Sequence, residues 1–141
     1  MADERDVVRV RTNYRADPPE DLYIYPLRVP RENIRRVFLE YMRKLNALRD
    51  QPEFYNTLTT NCTTAILMNA RVNPESLPLS WKVLLSGYTP AYVYESGRMD
   101  RNLPFEELKR RSLVNAAAQD ADQAPDFSRR IRAALPGPAG R

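Results

Sequence analysis

The chain has 141 residues, 43% of them hydrophobic, a size and apolar content that suit one folded domain and argue against disorder throughout. Its 22 Lys plus Arg against 18 Asp plus Glu leave a net charge of +4, with both signs interspersed and no basic cluster interleaved with stacking aromatics. This pattern argues against a nucleic-acid-binding surface. A single cysteine and no histidine exclude an internal disulfide and the usual zinc and copper sites, so neither a metal nor a cofactor is expected.

The opening MADERDVVRV is charged and lacks the layout of a signal peptide, and no segment has the apolar length of a membrane span. In residues 7–14, VVRVRTNY, Val8, Val10, Thr12 and Tyr14 alternate with Arg9, Arg11 and Asn13, the period of a half-buried strand. After a turn at ADPPED, residues 21–29, DLYIYPLRV, are again β-branched and aromatic, with Pro26 favouring an edge or a bulge. The two segments read as a β-hairpin.

Residues 31–50, RENIRRVFLEYMRKLNALRD, follow Pro30 and place Ile34, Val37, Phe38, Tyr41, Met42, Leu45 and Leu48 at intervals of three and four, with Arg35, Arg36, Glu40, Arg43 and Lys44 opposite. This spacing predicts an amphipathic helix whose apolar stripe packs on the sheet. A polar loop, QPEFYNTLTTN, leads into a second helix, CTTAILMNARV, with Ala65, Ile66, Met68 and Ala70 facing inward and Asn61 or Thr60 as its cap.

Beyond NPESLPLS come short amphipathic pieces at 81–85, 90–94, 105–113 and 127–135, broken by prolines and glycines, which suggest a C-terminal wrap rather than a second core. The expected organisation is one domain over residues 1–135 and a flexible tail, PGPAGR, over 136–141. The expected fold class is α+β, a small antiparallel sheet with packed helices.

Cys62 is the one candidate nucleophile. If Asn61 caps the second helix, Cys62 lies in its first turn, where free N–H groups and the helix dipole favour a thiolate and can bind an oxyanion. The competing reading is a small buried core residue. Tyr55, Asn56 and Asn61 are candidates for orienting a substrate, although neither Tyr nor Asn is a usual proton acceptor, and YNT also suits a loop that caps the next helix. The segment SWKVLLSGYTPAYVYESG is aromatic enough for an acyl-chain groove or for ordinary packing of Trp81, Tyr88, Tyr92 and Tyr94. Arg129, Arg130 and Arg132 suit either anionic lipid headgroups or solvent.

The blocks ADERDVVRVRTNYR, LYIYPLRV, PEFYNTLTTNCTTAI, WKVLLSGYTPAYVYESG, LPFEELKRRS and APDFSRRIR carry a resemblance. Together, over about residues 2–132, they resemble the C-terminal half of the bacterial Lnb-type N-terminal periplasmic domain family, with YNTLTTNCTT the most specific piece. That resemblance implies a partial, circularly permuted papain-like fold akin to NlpC-type peptidases and lecithin:retinol acyltransferase. It implies Cys62 as the nucleophile and thiolate attack on an acyl ester or amide, with lipoprotein or membrane lipid as partner. It also implies a periplasmic or membrane-associated setting.

The family's histidine belongs on strands upstream of residue 1, so this chain is expected to show little activity alone. A non-catalytic envelope interaction module is the alternative. Self-association through an exposed sheet edge is a further expectation.

Overall fold

Asp3 starts the first helix: its carboxylate accepts the Arg5 amide at 2.8 Å, and acidic Glu4 and Asp6 then precede basic Arg9, the order that the helix dipole favours. The computed structural model describes residues 3–15, 17–54 and 62–137. The elements are α1 (Glu4–Arg9), continued by a π-helical turn (Val10–Tyr14), α2 (Arg31–Asp50), α3 (Cys62–Ala70), α4 (Trp81–Leu84), a 3-10 turn (Ser86–Tyr88), α5 (Thr89–Glu95), α6 (Phe105–Arg111), α7 (Asn115–Asp120) and α8 (Phe127–Arg130).

The expected α+β class, with its small antiparallel sheet, is overturned: the described residues are helical and contain no strand. Residues 7–14 show why. Alternation and helical spacing compete there, and burial follows i,i+4: Val8 and Thr12 are 5% and 6% exposed, whereas Val10 and Tyr14 are 46% and 64% exposed. The Thr12 hydroxyl donates to Val8 O at 3.0 Å, and Arg15 N reaches Val10 O at 3.1 Å to close the wider turn. Residues 21–29 form no strand either: Tyr23 makes only an isolated antiparallel bridge, with Leu113. With no sheet among the described residues, the expected hairpin and its sticky edge are both removed.

The chain divides into two compact units. Unit 1 combines residues 1–27 with 99–141, and unit 2 is residues 28–98.

In unit 1, Val8, Ala118, Ala121, Phe127 and Ile131 form a buried cluster covered by Leu22, Ile24 and Ala124. The piece at 127–135, expected to wrap a core, supplies Phe127 and Ile131 of this one. Backbone bonds from Ile24 N to Ser112 O (2.8 Å) and from Val114 N to Leu22 O (2.9 Å) hold the extended segment. The Asn115 carboxamide adds a further rung, its Oδ1 accepting Leu22 N and its Nδ2 donating to Glu20 O, both at 2.8 Å.

Polar contacts tie the first and last helices of unit 1 together. Arg9 Nε donates to Asp122 Oδ1 at 2.6 Å, Asn13 Nδ2 donates to the same oxygen at 2.8 Å, and Arg5 donates to Ala124 O at 2.6 Å. Glu4 accepts from Ser128 and from Arg132. Arginine partners hold the carboxyls of Glu4, Glu20, Asp122 and Asp126 below their ordinary values, and Arg110 and Arg111 hold Glu107 down at about 2.

These groups are stabilising when ionised. Their contribution is complete above the unfolded values, 4.5 for Glu and 3.8 for Asp, and is lost as pH falls through the lower folded values. The urea midpoint of unit 1 is therefore expected to be flat above about pH 5 and to decline steadily toward about pH 2. A midpoint unchanged across that acid range would show that these ion pairs contribute nothing.

In unit 2, α2 matches its predicted bounds. It begins after Pro30 and ends at Asp50, two residues before Pro52, which disfavours helical backbone at Gln51. Its stripe does not pack on a sheet: α2 has no buried residue, and Phe38 is 56% exposed. The buried residues of α3 are Thr64 and Asn69, whereas Ile66 and Met68, expected inside, are exposed. Asn73 anchors the following turn by donating to Asn33 O of α2 at 3.1 Å. Val83 of α4 is fully buried, and Ser80 caps that helix. Gly97 takes a φ of 79°, the left-handed geometry that ends α5 and lets the chain turn back. Arg28 N then bonds Arg98 O at 2.8 Å, so the two ends of unit 2 meet.

Candidate functional site

Cys62 is the first residue of α3, and its side chain is exposed. Helix N-termini carry N–H groups without intrahelical acceptors and the positive end of the helix dipole. The Cys62 Sγ lies 3.9 Å from Thr63 Oγ1. Exposure removes the core-filler reading of this cysteine. Tyr55, Asn56 and Asn61, the residues expected to orient a substrate or cap α3, lie outside the described residues.

The rest of α3 turns polar groups inward. Asn69, seven residues after Cys62 and so on the same helical face, is 2% exposed, and Asn73 is 6% exposed. Their Oδ1 atoms have no hydrogen-bond partner among the described residues. Sequence reading placed the apolar neighbours of these asparagines inside. The missed signal was the four-residue spacing of the two asparagines themselves.

Two rings of the aromatic segment pack against each other. Trp81 and Tyr88 meet edge-to-face with centroids 5.4 Å apart, and Tyr92 donates its hydroxyl to Pro78 O at 3.0 Å. The C-terminal arginines are engaged within unit 1: Arg129 and Arg130 pair with Asp126, and Arg132 pairs with Glu4.

Unit 1 also has an open cleft of about 630 Å³ whose walls include Asp3, Arg5, Asp6, Asp126 and Ser128, and Cys62 is not among its lining residues. No group of His, Cys, Asp and Glu side chains suited to a metal ion occurs among the described residues. Nor is any helix among them long and apolar enough to cross a membrane.

A family model described as the Lnb N-terminal periplasmic domain matches residues 1–87, more than half of the chain, and the match includes Cys62. The later blocks LPFEELKRRS and APDFSRRIR lie beyond it. No curated protein and no solved structure matches the chain.

Proposed function

This chain belongs to the Lnb N-terminal periplasmic domain family, a family of bacterial periplasmic domains, and from that premise we propose that Cys62 is the nucleophile of a cysteine-dependent acyltransferase or amidase. Its substrates would be acyl groups of lipoprotein, lipid or peptide. The observation that supports this reading is the exposure of Cys62 at the first residue of α3. An acyl carbonyl can reach the sulfur there, and backbone N–H groups at a helix N-terminus can receive the oxyanion that forms when sulfur adds to carbon.

In the first half-reaction the thiol proton passes to solvent and Sγ bonds to the carbonyl carbon. The tetrahedral intermediate then expels the leaving group, leaving a thioester. An aryl oxide departs without needing a proton, whereas an amine or alkoxide leaving group needs a general acid. No histidine is present among the 141 residues to give or take that proton. This chain is therefore expected to acylate from activated esters and to stall as the acyl-enzyme.

A p-nitrophenyl acyl ester tests the proposal. Incubation at about pH 8 should give a single burst of nitrophenolate, with one acyl group on Cys62 by mass spectrometry and slow release afterwards. The Cys62→Ser variant should form no thioester. A labelling rate no faster than that of the urea-denatured chain would reduce Cys62 to an ordinary exposed thiol and overturn the assignment.

A second reading, a non-catalytic interaction module, is favoured by a separate observation: α2 leaves its whole apolar stripe unburied. In that form the module no longer depends on a buried Cys62.

A further inference from the structure

The apolar side chains of α2 with the greatest regularity are Ile34, Phe38, Tyr41, Leu45 and Leu48, spaced four, three, four and three residues apart, and all five are exposed. Helical spacing puts them in one line along a rod about 30 Å long. Val37 and Met42, both half-buried, widen the apolar arc to about 140° around the helix. A two-stranded coiled coil uses a narrower seam.

Charge decides between occupants. The helix carries Arg31, Arg35, Arg36, Arg43, Lys44 and Arg49 against Glu32, Glu40 and Asp50, a net charge of +3. Each acid is paired within the helix: Glu32 with Arg35 and Arg36, Glu40 with Arg43, and Asp50 with Arg49. None of the three therefore stands as an unneutralised charge facing an anionic partner. Arg35 borders one side of the apolar arc and Lys44 the other, while Arg31 and Arg49 fall just inside its Met42 edge at the two ends of the helix. A second copy of α2 laid on this stripe would bring those cations against their own equivalents.

We infer that α2 is an interfacial helix that lies flat on an anionic phospholipid surface, with Ile34, Phe38, Tyr41, Leu45 and Leu48 in the acyl boundary and the flanking cations at the phosphates. A wide apolar arc, a charged opposite face, low overall hydrophobicity and aromatic anchors are the features that hold a helix in that plane. The aliphatic stems of Arg35, Lys44 and Arg49 can lie along the acyl boundary while their heads reach the phosphates. The Tyr41 ring has the same dual character. This surface is separate from Cys62 chemistry and does not rest on it.

The test is co-sedimentation of the whole chain with vesicles of phosphatidylglycerol and phosphatidylethanolamine, against vesicles of phosphatidylcholine alone. Binding should favour the anionic vesicles and weaken as salt rises. The double variant Phe38→Asp, Leu45→Asp should bind at least about tenfold more weakly, and Arg35→Glu with Lys44→Glu should abolish the preference for anionic lipid. Cys62→Ser should bind like the parent chain. A measurement needing no variant is amide hydrogen exchange, in which residues 31–50 should gain protection on anionic vesicles. Equal pelleting with neutral vesicles, no pelleting, or no gain in protection would overturn the inference. So would a dimer in sedimentation equilibrium that Phe38→Asp dissociates while vesicle binding is absent, since that result assigns the stripe to a second copy.

Discussion

Replacing Phe127 with alanine is expected to cost unit 1 about 3–5 kcal/mol, a large share of the 5–15 kcal/mol that typically separates a folded domain from its unfolded chain. The ring is 1% exposed and belongs to the cluster of Val8, Ala118, Ala121 and Ile131. The Arg5 guanidinium lies 5.6 Å from its centroid, on a side chain that also bonds Ala124 O. Truncation would remove the apolar surface and leave a cavity between α1, α7 and α8 that short helices cannot easily collapse. Phe127→Leu, which keeps most of the volume, should lose much less. Urea unfolding followed through amide exchange at Val8 and Ala118 reads the difference. A loss below about 1 kcal/mol for the alanine variant would mean that Phe127 does not organise this core.

The second large effect is expected at Asn115. Its carboxamide serves both Glu20 O and Leu22 N, standing in for a peptide group where the extended segment passes the start of α7. Asn115→Ala would strip a donor and an acceptor from two partly buried backbone groups at once, at a cost of about 2 kcal/mol. Asn115→Asp keeps an acceptor for Leu22 N and removes the donor to Glu20 O, so it should fall between the parent and the alanine variant. The local reporter is the Leu22 amide, whose exchange should accelerate in the alanine variant more than in the aspartate. Equal exchange in all three proteins would show that backbone pairing with Ser112 and Val114 suffices.

Parts of this architecture were legible in the sequence because the local signals agreed. The bounds of α2 followed from apolar spacing after Pro30, and the start of α3 at Cys62 followed from the change from polar loop to apolar run. Residues 7–14 failed because two periods were superimposed on one segment. Val8 and Val10 suit a strand, and Val8 with Thr12 suits a helix; the Asp3 cap and the order of acids before Arg9 were the cues that decided it. The destination of the α2 stripe was not legible either. Periodicity identifies an apolar face and does not say what that face meets. At the candidate site, Cys62 was visible as the one reactive side chain of its kind, whereas the buried Asn69 and Asn73 were hidden because asparagine usually marks a surface.

Unit 1 is assembled from two segments of the chain, with the whole of unit 2 interposed between them in sequence. Its defining contacts, Arg5 to Ala124 and Glu4 to Ser128, span 119 and 124 positions in sequence. A chain made in the N-to-C direction must carry α1 unpartnered until residues 118–131 have been made. Residues 28–98 can close their own ends through Arg28 and Arg98 while it waits. Vectorial emergence therefore imposes an order, with the interposed unit folding first and the outer one last. The interval of delay is when Val8 and the rest of α1 stand open to chaperones and proteases.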